Sequence, residues 1–148
     1  MNFYRRTQKE IQTFGIDKKS EKIIFGLPLY HISFGIDENK KIRKARGFFA
    51  LGQYASGYIV IAQFGYAYIF GLGQFIIASL SIAQFSLGLF SIGQFSIGIF
   101  SVGQIALGLY TVGLSVYGKY IYSTNREDKE IIEFFTRILN FLKILIKF

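Results

Sequence analysis

Between Gly47 and Gly118 the chain repeats every five residues. A small residue opens each unit: Gly47, Gly52, Gly57, Ala62, Ala67, then after one inserted residue Gly73, Ala78, Ala83, Gly88, Gly93, Gly98, Gly103, Gly108 and Gly113. Two places later stands a large apolar one: Phe49, Tyr54, Ile59, Phe64, Ile69, Phe75, Leu80, Phe85, Phe90, Phe95, Phe100, Ile105 and Tyr110, with Ser115 breaking the rule in the last unit. The ideal unit reads Gly-x-Phe-Ser-Ile. No Asp, Glu, Lys or Arg interrupts the stretch.

Three structures compete for such a segment. It is long enough and apolar enough for about three membrane-spanning helices of ~20 residues. The period opposes helices. Five residues advance a helix by about 140°, so the small residues would spiral around it and mark no face. Glycine at that frequency also costs roughly 1 kcal/mol per site against alanine, although membrane helices tolerate it for close packing. A solenoid of short strands is the second structure, since fixed-period self-similarity is its mark. An amyloid-like or disordered low-complexity tract is the third, and the well-kept register opposes it. The expectation is the solenoid.

The flanks have other periods. Leu29, His31 and Ser33 alternate with Tyr30, Ile32 and Phe34, a strand signature. Pro28 fits a strand start or an edge. Ile36-Asp-Glu-Asn-Lys-Lys is turn chemistry. A hairpin over Ile23 to Ala45 is expected to cap the first coil. Asn2 to Ser20 is polar and basic and reads as a short helix or surface arm. Beyond Gly118, Thr124 with Glu127 or Asn125 with Asp128 can open a helix as a capping pair. That helix runs to the C-terminus with Glu133, Arg137, Asn140 and Lys147 on one face and a broad apolar face opposite. Its charges speak against a simple span. It suits the membrane interface or the open end of the solenoid. The chain thus divides into 1–46, a basic arm and capping hairpin; 47–118, the repeat; and 119–148, the amphipathic helix.

Charge sharpens this picture. Net charge is +8, with 17 Lys/Arg against 9 Asp/Glu, all outside the repeat. Arg5, Arg6, Lys40, Lys41, Arg43, Lys44 and Arg46 before it, and Lys143 and Lys147 after it, are candidates for anionic lipid headgroups. The basic residues form short pairs, not the long stripe that nucleic acid favours. Cysteine is absent, and the N-terminus carries no apolar signal region. A basic N-terminal end on the cytoplasmic side of a bacterial inner membrane fits the positive-inside tendency.

The repeat resembles the pentapeptide-repeat proteins, four-sided right-handed β-helices with one five-residue unit per side. That resemblance implies a coil of ~20 residues, with the small and large residues pointing inward, so Phe49, Phe64, Phe75, Phe85, Phe90, Phe95 and Phe100 would form the core. Soluble members carry polar outer positions; here the fifth place holds Ile, Leu or Val. A second likeness is to uncharacterised bacterial membrane proteins that combine a Gly-Leu-Pro-Leu opening (Gly26 to Leu29), an Ala-Arg-Gly lead-in (Ala45 to Gly47) and tandem apolar pentads. On a 20-residue coil, Gln53, Gln74 and Gln94 would stack on one side and Gln63, Gln84 and Gln104 on the opposite side. Each set forms a polar ladder available for self-association. Such a body would stand ~17 Å tall at ~4.8 Å per coil.

Catalytic chemistry is not visible. His31 is the one histidine and has no obvious partner. Asp37 and Glu38 belong to a turn. No metal-ligand spacing, phosphate loop or triad appears, so no cofactor and no small-molecule substrate are expected. The expected function is a non-enzymatic, membrane-embedded structural or assembly module whose partners are membrane lipids and other copies of itself. A β-helix polymer tethered by its tail helix and a polytopic helical protein are the alternatives.

Overall fold

A computed structural model describes residues 15–147. The protein is mainly β, with one C-terminal helix. The strands are β1 (Gly15–Lys19), β2 (Ile23–Ile24), β3 (Leu27–Pro28), β4 (Tyr30–Gly35), β5 (Lys44–Ser123) and β6 (Arg126–Glu127), followed by helix α1 (Lys129–Ile146). Extended backbone therefore replaces membrane-spanning helices over the whole repeat. The expected helix or arm at Asn2 to Ser20 lies largely outside the described residues; its last part is β1.

β5 holds 80 residues, and it cannot be straight. In a straight strand, residues ten apart would lie roughly 33 Å from each other. Instead their rings stack. Tyr54, Phe64, Phe75, Phe85 and Phe95 form one ladder with centroids 5.2, 6.2, 6.1 and 5.3 Å apart. Phe90, Phe100, Tyr110 and Tyr120 form another at 4.7, 4.9 and 4.8 Å. Glycines tell the same story: a Cβ on Gly57 would collide with the Gly47 carbonyl oxygen. The chain thus returns on itself every ten residues, two units per turn. This corrects the expected four-sided coil of ~20 residues, in which outward rings ten apart would stand on opposite sides.

The inside and the outside are also exchanged. In Leu80-Ser81-Ile82-Ala83-Gln84, Ser81 and Ala83 are buried while Leu80, Ile82 and Gln84 are exposed. This is ordinary strand alternation. Five is odd, so Gln84 and Phe85 both face outward, and the chain turns between them. The core is therefore built from small residues. Ala50, Ala55, Ala62, Ala67, Ala78, Ala83 and Ala106 are buried, as are Ser81, Ser86, Ser91, Ser96, Ser101 and Thr111. Val60 and Ile76 are the large inner side chains, each fully enclosed. Gly65 makes room for both: a Cβ there would lie 2.7 Å from Val60 Cγ1 and 2.8 Å from Ile76 Cδ1.

The expected phenylalanine core is consequently wrong. Phe49, Phe64, Phe75, Phe85, Phe90 and Phe95 are exposed by 37–52%, and Phe100, on which α1 lies, is half-buried. The physical reason is width. Two walls only one five-residue strand wide, joined by tight corners, leave room between them for Gly, Ala and Ser but not for opposed rings.

The N-terminal residues cap the first turn, though not as one hairpin. β2 and β3 form a two-residue hairpin whose turn, Phe25-Gly26, has φ of 51° and 77°, the left-handed pair that such turns require. β4 pairs antiparallel with β1 and parallel with the start of β5, with His31 beside Ala50 and Ser33 beside Gly52. β4 thereby adds one more rung above the repeat. Asp37 Oδ1 accepts from the backbone N–H groups of Asn39 and Lys41 at 2.8 and 2.9 Å, closing the turn before β5.

At the other end, Thr124-Asn125 is the tip of a hairpin joining β5 to β6, not part of a capping pair. Asp128 precedes the helix without a side-chain cap; its carboxylate instead accepts from Ile121 N–H at 2.8 Å and Arg126 Nε at 3.1 Å. These bonds hold its pKa below the usual carboxylate range, that from Ile121 most of all.

Candidate functional site

Three surfaces come forward. The first is the apolar wall. Outward positions through the middle of β5, Ser79 and the glutamines apart, are Phe, Ile and Leu, among them Phe85, Leu87, Leu89, Phe90, Ile92, Phe95, Ile97 and Ile99, all exposed. Tyrosine behaves differently. Within β5 it occurs at 54, 58, 66 and 68, then again only at 110, 117, 120 and 122. On a ten-residue return these fall in two bands, one at each end of the winding. The Tyr spacing is visible in the chain, but it acquires meaning only once the height of each residue is known.

The second surface is the amide edge. Gln53, Gln63, Gln74, Gln84, Gln94 and Gln104 recur every ten residues, with one step of eleven at the insertion. They therefore stand in a single file, not in the two opposed ladders expected. Gln63 to Gln104 are exposed and Gln53 is half-buried. Among the described residues none of these carboxamides hydrogen-bonds another side chain. The opposite edge is Phe48, Tyr58, Tyr68, Ser79, Leu89, Ile99 and Leu109. There Phe48, Tyr58 and Tyr68 stack at 5.1 and 5.2 Å, and Phe25 from the β2–β3 turn packs on Tyr58 at 5.7 Å.

The third is the polar clasp at the N-terminal end. His31 does have a partner. Its Nδ1 accepts from Arg46 N–H at 2.8 Å, which leaves Nε2 to donate to Asp17 Oδ1 at 2.7 Å. Arg43 donates to Asp17 Oδ2 at 3.3 Å. The bond from His31 holds the Asp17 carboxyl below the usual range, helped by Ser33 and Arg43 and opposed by partial burial. Both ring nitrogens are occupied, so His31 has none left to activate a nucleophile. The cluster ties β1 to β4 and to the start of β5. Sequence reasoning missed it because Asp17 and His31 meet only through the β1–β4 register.

The candidate headgroup residues separate. Arg5 and Arg6 lie outside the described residues. Lys40 and Lys41 sit on the turn before β5, and Arg43 is engaged with Asp17. Lys44 and Arg46 line a groove of about 490 Å³ above Tyr58, Tyr66 and Tyr68. Lys143 and Lys147 lie at the far end of α1.

α1 packs on the side of the winding and not across its end. Phe134 stacks on Phe100 and Tyr110 at 4.5 and 5.2 Å, and Ile131 is buried. The later residues Phe141, Ile144, Leu145 and Ile146 remain exposed. Among the described residues no helix is long and apolar enough to cross a membrane. Nor do three or more His, Cys, Asp or Glu gather in a metal-holding group there. No family of proteins, no curated protein and no solved structure matches this chain.

Proposed function

We propose that the repeat is a flattened β-solenoid that spans a bilayer, making this protein a non-enzymatic, membrane-embedded structural module. One observation carries the reading: an uncharged body, apolar on its outside except for one file of glutamines, with tyrosine only near its two ends. Ten residues per turn make Gly47 to Gly118 about seven turns, or ~34 Å at ~4.8 Å per turn. The hydrocarbon core is ~30 Å thick. The twenty-residue coil would have left the body at half that height.

Lipid also demands that backbone polar groups be paired within the protein. A winding chain pairs them from turn to turn and leaves unpaired groups only at its ends, where β4 and β6 add strands. From Tyr58 to Tyr120 is roughly six turns, or ~29 Å, and from Tyr68 to Tyr110 roughly four, or ~19 Å. Membrane β-proteins carry an apolar band of about 25 Å between aromatic girdles. Lys44 and Arg46 above one girdle suit anionic headgroups, and the basic N-terminal end suits the cytoplasmic side of a bacterial inner membrane. End-to-end polymerisation is disfavoured, because β4 already occupies the rung on which a second copy would add.

The test compares Leu87→Lys with Tyr66→Lys in protein extracted from membranes with carbonate and then with detergent. Both side chains face outward, at 44% and 49% exposure. Lysine costs about 2–4 kcal/mol at the midplane of a membrane β-protein and about 0–1 near the interface. Leu87→Lys is expected to fall out of the carbonate-resistant fraction while Tyr66→Lys stays. Release of the unmodified protein by carbonate alone, or equal recovery of both variants, would overturn the reading.

A further inference from the structure

Resting on the bilayer-spanning reading, we propose that two copies pair side by side in the same orientation through the glutamine edge, each Gln facing the same Gln of its partner. The edge is the polar exception on a body whose other outward positions are almost all apolar. A carboxamide has two N–H donors and two acceptor lone pairs. Within the single copy none of these carboxamides hydrogen-bonds another side chain among the described residues, and even a complete ladder along the file at the strand repeat would use only one donor and one lone pair of each. At least one N–H of each exposed amide is therefore left without a partner in the single copy. In water that is harmless; in hydrocarbon an unsatisfied polar group costs several kcal/mol.

The partner must supply uncharged amides at the same repeat. A second copy does so. A two-fold axis parallel to the winding sets Gln53 to Gln104 beside themselves at equal depth, an isologous contact. Copies inserted with the same end cytoplasmic have the same sense, so no inverted pairing is needed. Neither β1–β4 nor α1 covers the exposed Gln63 to Gln104. The Leu89–Ile99 edge lacks amides and keeps to lipid.

The chain has no cysteine, so single thiols report without background. End-to-end glutamines hold two backbones further apart than the ~7 Å limit of a disulfide; a short bis-maleimide bridges them. Full-length Gln84→Cys, Gln94→Cys and Leu89→Cys are treated in membranes and run on denaturing gels. The two glutamine-edge variants are expected to shift from monomer to dimer and Leu89→Cys to remain monomer. Co-expressed Gln63→Cys and Gln104→Cys chains are expected not to join each other. Dimer at Leu89→Cys, monomer at both glutamine positions, or a Gln63–Gln104 cross-link would overturn the pairing. Carbonate extraction of the same samples reports separately on the bilayer reading: carbonate-resistant protein that stays monomeric defeats the pairing alone. Released protein that still cross-links at Gln84 and Gln94 defeats the bilayer alone.

Discussion

Ser91 and its neighbour Phe90 decide which side of the strand is the core. Ser91 is 1% exposed and its hydroxyl finds no hydrogen-bond partner. Along its inner column, Ser81 and Ser101 stand one turn before and one turn after, both buried as well. Removing an unpaired buried hydroxyl recovers its desolvation cost of about 1–3 kcal/mol, less a small loss of packing. Ser91→Ala is therefore expected to be neutral or to stabilise by about 1 kcal/mol. Ser91→Leu instead forces a branched side chain between two closely spaced walls. Overpacking of this kind costs about 1–3 kcal/mol and more where nothing can yield. Phe90 is 43% exposed and gains mainly from its stack on Phe100 at 4.7 Å, so Phe90→Ala is expected to cost about 1–2 kcal/mol. A phenylalanine core would reverse the order: Phe90→Ala would cost about 3–5 kcal/mol, and Ser91→Leu on the outside would be tolerated. Thermal unfolding in detergent micelles, followed by circular dichroism at the strand band, ranks the three variants. Ser91→Leu melting with the unmodified protein while Phe90→Ala collapses would refute the inside-out arrangement.

Two further outcomes follow from the ends of the chain. Asp17 has its folded pKa depressed below the usual 3.8. Its contribution is present above that value and is lost as pH falls through the lowered one. Acid below about pH 4 should loosen β1 from β4, and Asp17→Asn should remove that step; proteolysis at Lys18 and Lys19 as a function of pH reads it, and an unchanged acid profile in the variant would count against the clasp. Phe134→Ala should detach α1 from the Phe100–Tyr110 ladder, letting the helix unwind so that trypsin cuts faster at the already exposed Arg137 and Lys143 while β5 stays intact. Cleavage at the rate of the unmodified protein would show that Ile131 alone anchors the helix.

Much of this architecture can be read from residue order. The five-residue period, the uncharged centre and the amphipathic tail helix are local patterns, and each survives in the fold. So does the turn chemistry at Asp37. The candidate site was legible only in part: the six glutamines stood out, but whether they made one file or two depended on the length of a turn. The clasp of Asp17, His31 and Arg43 was not legible, because strand pairing brings together residues far apart in the chain.

What the residue order could not settle is which face of each strand turns inward. A pattern of small and large residues in fives fits a wide coil filled by rings or a narrow one filled by Gly, Ala and Ser. In water the hydrophobic effect would choose the wide coil. In the bilayer proposed above that preference would vanish, leaving close backbone approach to prevail. Contacts between residues ten apart made the choice: Gly57 leaves room for the Gly47 carbonyl, Phe85 lies on Phe75, and no property of a single pentad contains either fact.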